Sequence, residues 1–494
     1  MKLKNLLEKV DIINNCADME MEINGVGHDS RAIRTGELFI AIRGYESDGH
    51  DYIDSAVQQG ALCVICEEAP EIVIDYVMVA DSRKALAAIS SAWFGYPAEK
   101  MKVVGVTGTN GKTSVTNLIK HVIENCSGSK VGLIGTNGNF IGERELPTAL
   151  TTPEAYEMQK IFDKMALEGC EYVVMEASSH ALFLNRVHGI EYDVGVFTNL
   201  TPEHLDFHKT MEEYAFAKSL LFSSCRRAAI NIDDPYAQVM IENCSGTVMT
   251  YAIEDSSAAL VGKDVKLYTD KTEFCMLEVG KISRVELQIP GMFSVYNALA
   301  ATAASVLLGF DTEDVTPALF SCPGVKGRAE VLPLGMDSTV LVDYAHTPDA
   351  LENIIKAVRG FAKGRVVTLF GCGGDRDKTK RLLMGKIALE LSDFTVITTD
   401  NPRTEDPQAI IDDILKGTQE VDSPYKVIKD RREAICFALD DQKPGDVLIL
   451  AGKGHETYQI LGKEKIHFDD REVVAEHLKR KRVESRKQVI ENLD

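Results

Sequence analysis

The chain has 494 residues, a formal charge of −21 and 45% apolar side chains, enough to fill the cores of roughly three domains of ~150 residues each. That negative field argues against nucleic acid as a partner, since no broad basic stripe could offset it. The opening Met1-Lys2-Leu3-Lys4-Asn5 lacks an apolar signal core and no run of ~20 apolar residues follows, which predicts a cytoplasmic protein without a membrane span, expected to be a monomer.

In chain order, residues 1–100 alternate short apolar runs, 38–42 and 62–65, with helical patches, predicting a small N-terminal α/β domain. Cys63-Val64-Ile65-Cys66 has the spacing of a metal or redox pair, but it sits in an apolar run. Together with the scatter of the 11 cysteines, this favours reduced core thiols over zinc or a disulfide. Residues 101–327 repeat buried-type strands at 103–106, 172–175, 194–197 and 228–232 with helical stretches between them, the pattern of a parallel sheet. After the Pro and Gly punctuation of 322–328 the pattern restarts at 340–342, 366–370, 395–398 and 447–450, predicting a second doubly wound, Rossmann-like domain over 328–480. The remainder, 481–494, reads as a charged helical tail.

The most specific segment is Val103-Val104-Gly105-Val106-Thr107-Gly108-Thr109-Asn110-Gly111-Lys112-Thr113-Ser114. A strand enters a glycine-rich turn that closes on Gly-Lys-Thr and a helical pattern of Val115, Leu118, Ile119 and Val122. Glycines let backbone N–H groups approach an anion, and a helix N-terminus adds its positive dipole end. Lys112 is then expected at the outer phosphates of ATP and the Thr113 hydroxyl on Mg²⁺. Gly105 stands one place before the position where such loops carry their first glycine, so the loop is a variant.

Other chemistry-bearing residues fall just past predicted strands, where open α/β sheets bind ligands. These are Glu176, Thr198-Asn199, Asp343, the segment 371–376 ending in Arg376, Asp400-Asn401-Pro402-Arg403, and Gly452-Lys453-Gly454-His455-Glu456. A carboxylate such as Glu176 suits Mg²⁺; His204 is a less usual ligand, tolerable at a second metal.

Taken together, the loop 105–113, Thr151-Thr152-Pro153, Glu176-Ala177-Ser178-Ser179-His180, the segments 199–208 and 214–222, Gly327-Arg328-Ala329-Glu330 and Asp343-Tyr344-Ala345-His346 resemble the Mur ligases of bacterial cell-wall synthesis. The 400–407 and 452–456 segments sharpen this to their diaminopimelate-adding branch. The resemblance spans about residues 23–475. It implies ATP-driven amide formation through an acyl phosphate, between meso-diaminopimelate and a UDP-muramoyl dipeptide. Carried over by position, Lys112, Glu176, His204 and Lys218 are the catalytic set. Thr113, Glu176, His204 and Lys218, the last as a carbamate formed with CO₂, are the metal ligands. Gly108, Thr109, Asn110, Gly111, Lys112, Thr113, Ser114, Asn297, Arg328 and Asp343 bind ATP. Ser30, Thr151, Thr152, Ser178 and Arg186 bind the UDP substrate, and Arg376, Asp400, Asn401, Pro402, Arg403, Gly452 and Glu456 the diamino acid. Leu184 and Ser294 depart from the family's usual glutamine and asparagine.

Arg403 carries the choice of amino acid: it offers a planar cation to the distal carboxylate of diaminopimelate and repels the bare ammonium of lysine. A lysine-adding or other Mur-type ligase stays open as an alternative. So do a P-loop ATPase or kinase without ligase activity and a catalytically silent nucleotide-binding regulator.

Overall fold

A computed structural model describes all residues except 45–46, 148–149, 420 and 492–494, with backbone alone for 485–491. The chain divides into two units, Met1–Val261 with Leu299–Val315, and Gly262–Ala298 with Thr316–Asp494.

The first unit opens with a five-stranded sheet. Strands Gly25–Gly27, Glu37–Ile40, Cys63–Cys66 and Asp75–Val79 run parallel, and Ile12–Asn15 closes one edge antiparallel. Cys63 and Cys66 are free thiols within this sheet, and burial pushes them up to about 12 and about 11.

A second parallel sheet follows, in the spatial order Thr247–Ala252, Arg227–Asn231, Val194–Phe197, Lys102–Thr107, Tyr172–Glu176, Val131–Gly135. Strand Lys102–Thr107 lies between Tyr172–Glu176 and Val194–Phe197, and the chain crosses to either side of it. This is the switch point at which open α/β sheets leave a crevice. Register places Glu176 beside Val106 and Phe197 beside Thr107. Helix Lys112–Ser127 forms behind it because Val115, Leu118, Ile119, Val122 and Ile123 recur at helical spacing, and all five are buried. Each such residue contributes about 1.5–3 kcal/mol. The antiparallel strands Gly138–Ile141 and Arg144–Leu146 extend the far edge.

Gly105 takes a different part from the one its sequence position suggests. It is mid-strand, paired with Met175 and Gly195, so it does not belong to the phosphate loop. A Cβ there would lie 2.7 Å from the Tyr192 ring and 2.9 Å from Leu221 Cδ1, both of them buried. Gly105→Ala is therefore expected to destabilise by about 1–3 kcal/mol through overpacking. Urea unfolding should show this as a lower midpoint, with the KM for ATP unchanged.

In the second unit the sheet order is Glu330–Val331, Thr339–Asp343, Val447–Ala451, Val366–Phe370, Phe394–Ile397, Tyr425–Val427, parallel from the second strand onward. An antiparallel hairpin, Thr272–Glu278 with Lys281–Leu287, precedes it. Helix Pro348–Arg359 starts where Thr347 accepts the Ala350 N–H and Pro348 presets the first turn, and it buries Leu351, Ile354, Ile355 and Val358. The charged tail is part of a helix, Asp470–Glu491, anchored by the buried Val473 and Val474. Its side chains from 485 onward lie outside the described residues. Among the described residues no helix is long and apolar enough to cross a membrane.

Candidate functional site

The loop between Thr107 and Lys112 is held by its neighbours on the next strand end. Gly108 has φ 148 and Gly111 φ 88, both in the region that favours glycine. A Cβ on Gly108 would collide with Thr198 Oγ1. Thr198 Oγ1 donates to the Asn110 carbonyl (2.6 Å), Asn199 Oδ1 accepts the Asn110 N–H (2.9 Å), and the Asn199 carbonyl accepts the Thr109 N–H (2.8 Å). Thr109 Oγ1 reaches Tyr214 OH (3.2 Å) and accepts the Thr201 N–H (3.0 Å). Thr113 is buried in the first helical turn and Ser114 is half-buried.

Two lysines converge on this loop. Lys112 Nζ donates to the carbonyls of Gly108 (2.8 Å) and Thr109 (2.7 Å). Lys218, reaching in from helix Met211–Ser223, donates to the same Gly108 carbonyl at 2.7 Å and is 1% exposed. Burial first, and the Lys112 charge second, push its pKa well below the ordinary lysine value.

Glu176 closes the next strand and is also 1% exposed. Its Oε1 accepts the Thr136 N–H (2.8 Å) and its Oε2 the Thr136 hydroxyl (3.1 Å). Gly135 has no side chain where Oε1 lies; a Cβ would collide with it. Thr136 Oγ1 stands 3.2 Å from Thr151 Oγ1, and Thr152 Oγ1 donates to the Glu176 carbonyl (2.9 Å) while accepting the Ser178 N–H (3.2 Å). Ser178 caps helix Ser179–Phe183. Arg186 donates to the Thr152 carbonyl (3.3 Å) and pairs with Glu154 (2.7 Å). Thr151, Thr152, Ser178 and Arg186 are thus chained to Glu176. Ser30 is buried in the turn that follows strand Gly25–Gly27, and no hydrogen bond among the described residues joins it to that chain. Leu184 ends the helix, its N–H donating to the His180 carbonyl.

His204 sits at φ 56, and its side chain is 44% exposed. His180 meets its ring edge-on at 4.8 Å, while His208 stacks on Tyr214 at 5.1 Å and reaches Ser179 Oγ at 3.0 Å. Burial holds His180 and His208 down at about 4. Among the described residues no three His, Cys, Asp or Glu side chains form a metal cage. Thr136 was not singled out from the sequence, and His180, His208 and Tyr214 stood there only as members of the resembling segments, with no site role of their own. The available signal was their place past strand ends or inside the resembling segments.

The second unit gathers the later segments at the carboxyl ends of its strands. Asp343 accepts the N–H groups of Ala329 (2.7 Å) and Ala345 (2.8 Å), so its carboxylate organises backbone. Burial raises its pKa against the pull of Arg328. Arg328 lies over the Tyr344 ring at 4.9 Å, with His455 on the same ring at 4.9 Å. Asn297 is buried on helix Met292–Leu308, and Ser294 Oγ bonds the Ile289 (3.0 Å) and Gly291 (2.6 Å) carbonyls. The Ser294 departure thus serves to hold the entry to that helix.

Asp400 and Asn401 are buried. Asn401 Nδ2 donates to Glu456 Oε2 at 2.9 Å, and Asn401 Oδ1 accepts the Ile460 N–H at 3.0 Å. Gly452, at φ 107, leaves room for Asp400 Oδ2, which a Cβ would approach to 2.6 Å. Pro402 is buried, and its carbonyl crowds the α-carbon of Gly374. Arg403 adopts φ 51, donates its N–H to Ile460 O (3.1 Å) and pins Nη1 to Gly374 O (2.8 Å). Beneath it the fully buried Arg381 bonds Glu405 and Asp413, tying the 403–405 turn to its own helix. Arg376 is exposed and bonded to the Asp375 carbonyl.

Burial first and Arg328 second hold His455 down at about 4, against an ordinary 6.5. The unfolded chain protonates this ring first as pH falls. Stability contributed above pH about 6.5 is therefore lost on the way to 4, up to about 3 kcal/mol. His455→Gln should flatten that part of the stability–pH curve; an unchanged slope in denaturant titrations would place the proton uptake elsewhere.

Family models match in three stretches: "Mur ligase family, catalytic domain" over 22–97, "Mur ligase middle domain" over 106–305 and "Mur ligase, glutamate ligase domain" over 327–454. The chain is 45% identical to UDP-N-acetylmuramoyl-L-alanyl-D-glutamate–2,6-diaminopimelate ligase 1 of Clostridium acetobutylicum, covering 97% of this chain and 99% of that one. It is 47% identical to a ligase of the same activity name from Caldanaerobacter subterraneus subsp. tengcongensis, covering 93% and 95%. A solved structure of a UDP-N-acetylmuramoyl-L-alanyl-D-glutamate–2,6-diaminopimelate ligase superposes with a TM-score of 0.73 at 31% identity, covering 98% and 99%. The chain belongs to the Mur ligase family.

Proposed function

We propose that this chain is an ATP-dependent amide ligase joining meso-diaminopimelate to the D-glutamate γ-carboxylate of UDP-N-acetylmuramoyl-L-alanyl-D-glutamate, with release of ADP and phosphate, in peptidoglycan precursor synthesis. The end-to-end similarity to ligases of that name carries this reading, and the geometry offers the parts such a reaction requires. The γ-carboxylate attacks the γ-phosphorus, ADP leaves, and an acyl phosphate forms. The incoming amine then attacks the acyl carbon, the amide bond forms, phosphate leaves and the amine proton passes to solvent.

Two anions must meet in the first step, so positive charge at the phosphate loop governs it. Gly108, Thr109, Asn110, Gly111 and Ser114 form the cradle, and Lys112 stands at its mouth to neutralise the phosphates. Thr113 and Glu176 fit a hard dication in kind, a buried hydroxyl and a buried carboxylate whose Thr136 bonds hold it in place. Mg²⁺ bound there would neutralise charge on the transferring phosphoryl group. His204 and Lys218 are assigned to a second cation. An ammonium cannot ligate one, but the depressed pKa favours the neutral amine. That amine can add to CO₂: an N–C bond forms, a proton leaves, and Lys218 becomes an anionic carbamate.

Asn297, Arg328 and Asp343 are assigned to the rest of the nucleotide, and Ser30, Thr151, Thr152, Ser178 and Arg186 to the UDP-muramoyl dipeptide. Arg376, Asp400, Asn401, Pro402, Arg403, Gly452 and Glu456 are assigned to the diamino acid. On this reading 1–100 binds the UDP-sugar, 101–327 binds ATP and 328–480 binds the amino acid, in a monomer working in the cytoplasm.

The test is one incubation with ATP, Mg²⁺, the UDP-muramoyl dipeptide and equal meso-diaminopimelate and L-lysine, with products weighed by mass spectrometry. The diaminopimelate adduct is expected. A lysine adduct, or phosphate release that needs no amino acid, would overturn the reading.

A further inference from the structure

Between Asp400 and Glu456 lies a cation that the proposed reaction does not yet use. Lys453 has no exposed side-chain surface. Its Nζ stands 3.4 Å from Asp400 Oδ1 and 3.4 Å from Glu456 Oε2, and donates to Asn401 Oδ1 (3.1 Å) and to the Tyr458 carbonyl (2.8 Å). One ammonium thus faces two carboxylates, which are themselves 8% and 12% exposed.

The surrounding cations are committed elsewhere. Arg431, fully buried, forms a two-pronged pair with Asp470 (2.9 and 2.6 Å) and donates to the Ala451 carbonyl, just before the Gly452 turn. Lys380, whose charge also reaches Asp400, donates to the His346 carbonyl at 3.0 Å. The group in direct contact therefore carries a net charge of one minus. A buried net charge is costly unless a counter-charge arrives, and a ligand ammonium is that counter-charge.

The uncompensated oxygen is identifiable. Asp400 Oδ1 faces Lys453, and Asp400 Oδ2 packs on Gly452. Glu456 Oε2 takes the Asn401 amide, whereas the hydrogen bond of Glu456 Oε1 among the described residues is a long one, from Tyr458 OH at 3.4 Å. Arg403 donates its backbone N–H to the Ile460 carbonyl, the Ile460 N–H goes to Asn401 Oδ1, and the Arg403 charge acts on Tyr458 together with those of Glu456 and Asp400.

We propose that Lys453 is a positioning residue that sets the charge count of the amino-acid site. By cancelling Asp400 it leaves one carboxylate, Glu456, opposite one guanidinium, Arg403. The site is then matched to a zwitterionic distal centre, an ammonium with a carboxylate, and not to a bare cation. This rests on the diaminopimelate-ligase reading and names what enforces its specificity. Lys453→Met leaves two carboxylates against Arg403 and favours a diamino acid without a distal carboxylate. The double variant Lys453→Met/Asp400→Asn restores the count.

The experiment measures kcat/KM for meso-diaminopimelate and for L-lysine in the wild type, K453M and K453M/D400N. Alongside runs the exchange of labelled ADP into ATP with the UDP-muramoyl dipeptide and no amino acid, which reports acyl-phosphate formation alone. The diaminopimelate-to-lysine ratio is expected to fall at least ~10-fold in K453M and to recover at least half of that loss in the double variant. ADP–ATP exchange in K453M should stay within about twofold of the wild type. An unchanged ratio in K453M, a double variant no better than the single, or exchange lost together with ligation in both variants would overturn the assignment. A wild type that adds no diaminopimelate would instead overturn the function reading.

Discussion

Lys218→Met is expected to cost roughly 100- to 1,000-fold in kcat, the scale for losing one preorganised charged group at a reacting centre, while the thermal midpoint stays level or rises. Lys218 is buried, its hydrogen bond among the described residues goes to the Gly108 carbonyl, and the Lys112 charge, of like sign, acts on it more strongly than the opposing Glu203 carboxylate. As a structural element it is a poor choice: a desolvated amine beside a cation stabilises little, and methionine fills the same volume without the desolvation cost. Removing it strands no acceptor, because Gly108 O keeps the Lys112 bond at 2.8 Å. Activity and stability should therefore part company, as they do where a destabilising group is held for its chemistry. Phosphate-release kinetics and a thermal melt on one sample decide the matter; a melt several degrees lower that tracks the lost activity would make Lys218 a packing residue. If the working form is the carbamate, wild-type activity should fall in CO₂-free buffer and return with bicarbonate.

Arg403→Ala is expected to lower the preference for meso-diaminopimelate over lysine by roughly 10- to 100-fold, equivalent to the 1.5–3 kcal/mol of a charge-assisted hydrogen bond. The guanidinium is not a loose surface cation. Its backbone is held at φ 51 between Ile460 O and Gly462 N, and one of its nitrogens is already fixed to Gly374 O. What remains of the fork is thus presented in one orientation. Arg403→Lys should restore little, because an ammonium cannot reproduce that planar presentation. Competition assays with both amino acids measure this directly, and a preference retained in Arg403→Ala would move the choice to other residues.

Much of the fold was legible. Apolar runs at 38–42, 172–175, 194–197, 366–370 and 447–450 became strands within a residue or two, because a fully buried parallel strand must be apolar on both faces. The antiparallel strands Gly138–Ile141, Arg144–Leu146 and the hairpin Thr272–Glu278 with Lys281–Leu287 were missed. They lie at sheet edges or have one wet face, and their mixed composition reads as loop. Gly105 was read as the displaced first glycine of the phosphate loop from its spacing to Gly108 and Gly111; whether a glycine faces a ligand or a Tyr192 ring depends on what a distant segment brings to it.

The candidate site divides in the same way. By itself, the sequence determined that Gly108, Gly111, Lys112, Glu176, Asp400 and Glu456 follow strand ends, since strand pattern and turn residues are local properties of the chain. Only the tertiary structure decided that Lys112 and Lys218, 106 positions apart by their numbering, share one carbonyl, and that Thr136 fixes Glu176. It also decided that Lys453 stands between two carboxylates. The physical reason is that burial and net charge are sums over everything within a few ångströms. The residues that enter those sums come from separate strands, and no local pattern records which of them meet.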